Sequence, residues 1–486
     1  MIDINKILNK LLVAAAVFFI LLFVYVALSR IGYPFELEWM EGGSVEHLQR
    51  VVEGEPIYTP PTPEFISYIY TPFYYYAAVP IAKITGINLL PLRIVSFAST
   101  LLLSLIIFLF MKKETDSKFY GVLAGGLFIA SFRLGGAWFD LARVDMLHIL
   151  LMLIAVYLLR FHKTAHSYFI AALIAGLSFL TKQTAALIFA PIGLYLLIKE
   201  RRNSWFFNIT FAFIVIFTTA YYTATTDGWY WFWNFTLPAT HHWNKKYLII
   251  FWTYDLIKPF AISLLFSVFY FIVLRKKDKN TFLFYISLVV GIVLSTWLSR
   301  LHYGGYSNVL IPVYLLIIIL GIMGFKSFSL FYSDKNNYKL LPILASLALL
   351  FQFITLIYSP RAQIPTKVDE SAGWELVNKI KSFDGDVYIF PNPYLARLAG
   401  KKVYAHGMLI VDLITSNTKY SRKMKETFDG LLKKHKFAAV IDYSELEYHS
   451  FLKYYRIKEK IFAAPEVFLM QTGFTTRPEY IYIPKK

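Results

Sequence analysis

A chain of 486 residues that is 57% hydrophobic and 18% aromatic is too apolar for a set of soluble domains, and it indicates a polytopic membrane protein. The net charge of +18 comes from basic clusters that flank long apolar runs, so it does not indicate a nucleic-acid partner. The lack of cysteine excludes disulfides, thiol nucleophiles and thiolate metal sites.

About eleven apolar runs are long enough to cross a bilayer, which takes roughly 20 residues of helix. The first run, residues 11–28, is too long for the core of a typical signal peptide, so we expect a membrane anchor there. The predicted spans begin near residues 11, 88, 119, 145, 167, 184, 205, 257, 281, 308 and 340. The predicted fold is therefore mainly α, a polytopic membrane helical bundle of about eleven transmembrane helices.

Basic residues predict the orientation of these spans, because loops rich in lysine and arginine stay on the cytoplasmic side. The basic clusters share one side if the N-terminus is cytoplasmic and the apolar segment 167–198 is two spans with a break at 181–184. We therefore expect a multi-pass protein of the plasma membrane. Its first loop, residues 30–87, and its tail are then extracytoplasmic.

The first outer loop carries three glutamates soon after the first span: Glu36, Glu38 and Glu41. Residues 43–53 then have apolar side chains at helical spacing, which predicts an interfacial helix on the membrane surface. A proline-rich stretch ends this helix and a cluster of tyrosines follows it. The loop is therefore predicted to be a structured element and not a simple linker.

The composition changes to a soluble pattern after residue 360, so we divide the chain into a transmembrane domain, 1–359, and an extracytoplasmic domain, 360–486. The predicted elements of this tail are helices at 370–383 and 423–434 and strands at 386–390, 402–405 and 438–442. We expect a small α/β domain on the outer face.

The three glutamates of the first loop are candidates for chemistry. Carboxylates at this spacing can accept a proton from an attacking hydroxyl, or chelate a divalent cation such as magnesium or manganese through Glu36 and Glu38. The alternative without a catalytic role is a solvated loop in which the charge of Glu41 stabilises the N-terminus of the surface helix. The pattern is compatible with both interpretations.

Ionisable residues near the outer ends of later spans form a second set of candidates. Arg143 and Asp145 lie at the start of one span, where charges are costly unless they are paired or line a cavity. A structural ion pair between helices is the alternative. We favour a site, because Asp145 would face the same outer cavity as the glutamates.

Cations also lie at two other outer helix ends, with Lys182 at one and Arg300 and His302 at the other. Cations at this depth suit a phosphate or pyrophosphate headgroup, and arginine offers it a two-pronged contact. The alternative is snorkelling towards lipid phosphates in general, which weighs equally for Lys182. For Arg300, beside Gly304 and Gly305, we favour a site.

Six motifs follow one another along the membrane part. They are Glu36-Leu-Glu-Trp-Met-Glu-Gly-Gly43, Gly54-Glu-Pro-Ile-Tyr58, Tyr70-Thr-Pro-Phe-Tyr74, Arg143-Val-Asp145, Lys182-Gln-Thr184 and Gly304-Gly-Tyr-Ser-Asn308. In this order they resemble the membrane glycosyltransferases of the GT-C class. The branch is the one with protein O-mannosyltransferases, aminoarabinose transferases and lipopolysaccharide-core sugar transferases. The order and topology carry the resemblance rather than any single motif.

The resemblance implies an inverting transfer of a sugar from a polyprenyl-phosphate donor to a glycan, lipid or protein acceptor on the extracytoplasmic face. It also implies that an acid of the first loop acts as base or metal ligand. Motifs of the family there are often Asp-Glu or Asp-x-Asp, whereas this chain has glutamates only. The candidates for this acid are Glu38 and Glu41, with Glu36 in reserve.

The other site residues have roles that fit such a transfer. We expect Asp145 to position the base or a cation and Arg143 to hold Asp145. We expect Lys182 and Arg300 to stabilise charge on the departing phosphate. The remaining candidates for substrate binding are His302, Tyr70 and Tyr74.

Two other classes of protein compete with this interpretation. A transporter or flippase of lipid-linked saccharides would also need charges in a cavity, but the charges here concentrate at one face and no internal repeat is visible. A structural or assembly protein would use the tail as its working part. No nucleotide-binding loop or nucleophile elbow occurs in the sequence.

Overall fold

The computed structural model describes residues 4–333, 338, 340–443, 450–474 and 476–485. In the membrane part the helices are α1 (Ile4–Arg30), α2 (Glu41–Glu53), α3 (Phe73–Thr85), α4 (Leu89–Thr115), α5 (Lys118–Ala130), α6 (Asp145–Phe161), α7 (Ala165–Thr181), α8 (Ala185–Lys199), α9 (Arg201–Thr225), α10 (Trp229–Trp231), α11 (Leu237–Thr240), α12 (Tyr247–Ile250), α13 (Lys258–Lys277), α14 (Lys279–Leu301), α15 (Ile311–Ser333) and α16 (Leu340–Thr355). Two π-helical stretches, Phe232–Thr236 and Phe251–Ile257, follow α10 and α12.

The helices coincide with the predicted spans. Each of the eleven predicted spans falls on one helix among α1, α4 to α9 and α13 to α16. Within the described residues, six helical segments are long and apolar enough to cross a bilayer, and Ala165–Thr181, Ala185–Lys199 and Leu340–Thr355 are shorter apolar helices. The predicted break at 181–184 is confirmed, because α7 ends at Thr181 and α8 begins at Ala185. The chain is a multi-pass helical membrane protein.

Small residues allow the helices of the bundle to approach closely. A Cβ atom added to Gly324 of α15 would collide with the backbone of Phe266 on α13, and one added to Gly291 of α14 would collide with the backbone of Ile188 on α8. Lipid supplies no hydrophobic drive between helices, so contacts of this kind, which maximise packing, stabilise membrane bundles.

A buried ion pair joins the C-terminal end of α1 to the segment before α6. The guanidinium of Arg30 donates from Nε and Nη2 to the carboxylate of Asp140 at 2.8 and 2.5 Å. Its Nη1 donates to the carbonyl of Gln363 at 2.9 Å, where the tail begins. A two-pronged pair with further hydrogen bonds is the arrangement in which buried charges are tolerated. Arg30 therefore joins three separate parts of the chain at this end of the bundle.

The tail contains α17 (Lys367–Lys381), α18 (Tyr394–Leu398), α19 (Gly407–Thr415) and α20 (Lys419–Lys433), with strands β1 (Asp386–Ile389), β2 (Phe437–Asp442), β3 (Tyr455–Lys460) and β4 (Tyr480–Pro484). The strand order is β1-β2-β4-β3. β1 and β2 are parallel, with Val387 opposite Ala439, and the other two pairs are antiparallel. The predicted α/β character of the tail is confirmed.

The strand predicted at 402–405 is wrong. These residues have no regular secondary structure, and the amide of Ala405 donates to the carbonyl of Pro63 in the first outer loop at 2.8 Å. The segment thus bonds to the membrane part instead of to a neighbouring strand. Alternation of side chains predicts an extended chain, but it does not reveal which partner that chain takes.

The tail covers the first outer loop. Arg397 of α18 forms an ion pair with Glu46 of α2 at 3.4 Å, and His406 contacts the carbonyl of Trp39 at 2.9 Å. α2 starts at Glu41, two residues before the predicted start, and its first turns are buried, whereas Glu53 at its end is exposed. The glutamates of the first loop consequently lie between the membrane bundle and the tail.

Candidate active site

Glu41 is fully engaged in holding the first loop. Arg93 of α4 donates from Nε and Nη2 to its two oxygens at 3.0 and 2.7 Å. The amides of Ala142 and Leu37 donate to the same carboxylate at 2.8 and 2.7 Å. Burial acts to raise the pKa of Glu41, but Arg93 and the two amides outweigh it and hold that pKa below its usual value. Glu41 is thus a fixed anion at the start of α2.

Arg93 also sets the course of the loop before Glu41. Its guanidinium donates to the carbonyls of Tyr33 and Phe35 at 2.6 and 2.7 Å, and the whole side chain is buried. An arginine in an apolar helix needs such a set of acceptors, because an unpaired charge there is costly. The result is a curved loop that turns Glu36 and Glu38 inward.

Glu36 bonds to the tail. Its carboxylate accepts from the amide of Gly42 at 2.9 Å and from Nδ2 of Asn392 at 2.7 Å. Burial raises the pKa of Glu36 well above its usual value, although both hydrogen bonds oppose that shift. Glu36 therefore links the first loop to residues far along the chain.

Glu38 is held less tightly than its two neighbours. Its carboxylate accepts from the amide of Met40 at 3.3 Å and lies 3.6 Å from Nη1 of Arg143, which is an ion contact too long to be a hydrogen bond. Burial raises the pKa of Glu38 to about 7, with the charge of Arg143 opposing and that of Glu41 adding to the shift. A carboxylate with this pKa changes its ionisation near neutral pH, as a general base should.

Arg143 has donors that make no hydrogen bond within the described residues. Its Nη2 donates to the hydroxyl of Tyr70 at 3.0 Å, and its guanidinium lies 4.7 Å above the ring of Trp138. Nε and Nη1 are buried without a hydrogen-bond partner among the described residues. A guanidinium with donors left over in this way can accept a further partner, such as the oxygen of a phosphate.

Asp145 stands at the start of α6 next to Arg143. Its Oδ1 accepts from Nζ of Lys182 at 2.7 Å and from Nδ2 of Asn308 at 3.0 Å. Its Oδ2 is buried and has no hydrogen-bond partner among the described residues. Lys182 lies 6.0 Å from the centre of the Tyr70 ring. Glu38, Arg143, Tyr70, Asp145 and Lys182 therefore form one connected cluster, which we call the acid–base cluster.

Three predicted site residues have their partners elsewhere. Arg300 forms a two-pronged pair with Asp255 at 2.7 and 3.1 Å, and His302 contacts the carbonyl of Pro238 at 2.9 Å. The hydroxyl of Tyr74 donates to the carbonyl of Leu92 at 2.8 Å. Within the described part of the chain, no hydrogen bond or ion pair joins these three residues to the acid–base cluster.

The glutamates do not fit a divalent-cation site. The described residues contain no group of three or more histidine, cysteine or acidic side chains able to hold a metal. The oxygens of Glu36 already accept from an amide side chain and a backbone amide, and Glu38 faces a guanidinium. Hard cations prefer several free oxygens, which this arrangement does not offer.

Four further residues shape the site and were not predicted from the sequence: Arg93, Trp138, Asn308 and Asn392. Only Arg93 carried a clear signal, because a cation within an apolar span requires a partner. Asn308 ends the Gly-Gly-Tyr-Ser-Asn motif, and its side-chain amide donates to Asp145. The contacts of Trp138 with Arg143 and of Asn392 with Glu36 arise only in the folded chain.

A match to a protein family covers the part of the chain that contains most of the acid–base cluster. Residues 70–231 match the profile of the family described as dolichyl-phosphate-mannose-protein mannosyltransferase. The matched segment includes Tyr70, Arg143, Asp145 and Lys182. A search of curated protein sequences finds no match.

Solved structures share the fold of the whole chain. ArnT from Cupriavidus metallidurans in the apo state is 12% identical with a TM-score of 0.59, and covers 96% of this chain and 98% of its own. The same protein bound to undecaprenyl phosphate has a TM-score of 0.58 at 12% identity over 96% and 97%. An archaeal oligosaccharyltransferase from Archaeoglobus fulgidus, in complex with an inhibitory peptide and a dolichol-phosphate, has a TM-score of 0.55 at 12% identity over 91% and 70%. The predicted GT-C fold is confirmed.

Proposed function

We propose that this chain, whose fold is that of the GT-C class, is a membrane glycosyltransferase that moves a sugar from a polyprenyl-phosphate donor to an acceptor hydroxyl. In this proposal the reaction takes place at the extracytoplasmic face and inverts the anomeric carbon. The observation that carries it is the pairing of Glu38, which has a pKa of about 7, with Arg143, whose buried Nε and Nη1 make no hydrogen bond within the described residues. One group suits proton abstraction and the other suits a phosphate.

Glu38 is the general base of the proposed reaction. The acceptor O–H bond breaks and its proton moves to the carboxylate of Glu38, while the acceptor oxygen forms a bond to the anomeric carbon. The bond between that carbon and the phosphate oxygen breaks on the opposite side, and its electron pair leaves with the polyprenyl phosphate. Such a single displacement inverts the anomeric centre.

Arg143 and Lys182 bind the phosphate of the donor. Nε and Nη1 of Arg143, which make no hydrogen bond within the described residues, can donate to phosphate oxygens, and Lys182 adds a positive charge beside them. Charge grows on the phosphate as the sugar departs, so fixed cations stabilise the transition state more than the ground state. Asp145 orients Lys182, and its Oδ2, which has no hydrogen-bond partner in the described part of the chain, can accept from a donor on the substrate.

The known ligands of similar structures agree with a donor of this class. ArnT has been solved with undecaprenyl phosphate and the archaeal oligosaccharyltransferase with dolichol-phosphate. We assign Glu41 and Glu36 to holding the loop, because the hydrogen bonds described above engage both. Arg300 and His302 stay outside the proposal, since their polar contacts are with Asp255 and Pro238.

A transfer assay tests this function. The purified protein in lipid nanodiscs is expected to release polyprenyl phosphate from radiolabelled polyprenyl-phosphate sugars in step with labelled acceptor. The same sugars on nucleotide carriers are expected to give no product. A flippase would instead move the intact lipid-linked sugar across proteoliposomes without releasing polyprenyl phosphate, and that result would contradict the proposal.

A further inference from the structure

A segment of the tail, residues 468–474, lies directly along the first outer loop. The amide of Thr472 donates to the carbonyl of Leu37 at 3.2 Å, and its hydroxyl donates to the carbonyl of Gly136. Leu37 precedes Glu38, and Gly136 lies two residues before Trp138, the ring beneath Arg143. One buried threonine thus contacts both loop segments next to the acid–base cluster, the one before Glu38 and the one before Trp138.

Aromatic pairs anchor the segment on both sides of Thr472. The ring of Phe468 meets that of Phe35 edge to face at 5.1 Å, and the ring of Phe474 lies 5.4 Å from that of Trp39. The contacts occur in the same order along both segments, from Phe35 to Trp39 and from Phe468 to Phe474. The two stretches of chain therefore run side by side, with Glu38 between the anchors.

Gly473 is the point at which the segment meets Glu38. A Cβ atom added to Gly473 would lie 2.7 Å from Cγ of Glu38 and 3.1 Å from its Oε1. Gly473 also has a φ of +80°, which favours glycine. The backbone of the tail thus leaves no room for a side chain beside Glu38, and a side chain at Gly473 would displace the carboxylate.

We infer that the 468–474 segment is a wall of the catalytic pocket, which positions Glu38 and excludes water from one side of its carboxylate. The inference rests on the proposed function, since it gives the tail a part in the same reaction. Gly473 and Thr472 are positioning residues, because they act through Glu38. Removal of water by such a wall agrees with burial as the largest cause of the raised pKa of Glu38.

Gly473→Ala, compared with Gly400→Ala, tests the wall. Gly400 has a φ of +67° in the same domain, and a Cβ atom added there meets nothing within 4 Å. Both variants share the backbone strain, but only Gly473→Ala pushes on Glu38. We expect Gly473→Ala to lower kcat at least tenfold with the donor KM within twofold of wild type. Gly400→Ala should stay within twofold for both constants.

A chemical probe gives a second readout that does not need activity. A water-soluble carbodiimide with a labelled amine modifies accessible carboxyls, which mass spectrometry quantifies, and the exposed Glu53 serves as internal reference. We expect Glu38 of the wild type to react at less than a tenth of the rate of Glu53. Gly473→Ala should raise the Glu38 rate at least tenfold, and Gly400→Ala should leave it unchanged.

If Gly473→Ala fails to fold, Thr472→Val takes its place, with Thr427→Val on the exposed face of α20 as control. Loss of the bond to Gly136 is expected to raise the labelling rate of Glu38 at least threefold. Wild-type labelling and kcat in folded Gly473→Ala, or wild-type labelling in Thr472→Val, would overturn the wall. If the wild type transfers no sugar, only the proposed function is overturned. The labelling rates of Glu38 still test whether the 468–474 segment shields its carboxylate.

Discussion

Glu38→Gln is expected to lower kcat for sugar transfer by about 10²–10⁴-fold, the range typical of losing a general base. Glutamine keeps the size of the side chain and can still accept from the amide of Met40, but it cannot take the proton of the acceptor hydroxyl. The donor KM should change little, because the proposed ligands of the phosphate, Arg143 and Lys182, are still present. Rates of radiolabelled product formation, measured at saturating donor, check this expectation.

Glu53→Gln is the matched control for Glu38→Gln. Glu53 lies exposed at the end of α2 and accepts from Gln49 at 2.8 Å, away from the acid–base cluster. Its replacement should leave kcat within twofold of wild type. A folded Glu38→Gln protein with more than a third of the wild-type rate would show that another group removes the proton.

Glu41→Gln is expected to act on stability before activity. It removes the charge that compensates the buried Arg93, and breaking such a pair from one side costs about 3–5 kcal/mol. Glutamine also cannot accept from Arg93, Ala142 and Leu37 as the carboxylate does, since its amide nitrogen is a donor. The loss should appear as a lower midpoint of thermal unfolding in detergent.

The outcomes for Glu41 and Glu38 are expected to differ in kind. Glu41→Gln protein that is still folded at low temperature should retain measurable transfer, whereas Glu38→Gln should unfold like the wild type and transfer almost nothing. An unchanged unfolding midpoint in Glu41→Gln would contradict the role of Glu41 as partner of Arg93. Again Glu53→Gln controls for loss of a negative charge from α2.

The membrane bundle could be predicted from the sequence because its signals are local. A run of apolar residues and its flanking cations specify a span without reference to the rest of the chain. The break between α7 and α8 followed from the flanking cations, since the basic clusters share one side only if the segment 167–198 is two spans. Asp145 and Lys182 could be assigned to one face, although their 2.7 Å contact could not be foreseen.

The site needed the fold because its deciding contacts are distant in sequence. Arg93 is 52 residues from Glu41, and Asn392 is 356 residues from Glu36, yet these contacts separate the roles of the glutamates. The spacing of three acids in one loop gives no hint of which is already paired. For Arg300 the sequence predicted a phosphate ligand, but its partner in the fold is the carboxylate of Asp255.

The tail was harder to predict than the bundle. Elements with strong alternation or helical spacing were found near their observed bounds, as with β1 and α17. β3 was missed because it lacks an apolar face. Four of its six residues are charged: Arg456, Lys458, Glu459 and Lys460. Pairing with β4 stabilises it, and that partner lies some twenty residues further along the chain.

The pH dependence of transfer tests the central claim most directly, because it reports the ionisation of the base. With Glu38 at a pKa of about 7, kcat/KM should rise with pH, about tenfold per unit below neutrality, and level off above it, since only the carboxylate form accepts a proton. A profile that is flat between pH 5 and 8 in folded wild-type protein, or the same rise in Glu38→Gln, would contradict the assignment of Glu38 as the base.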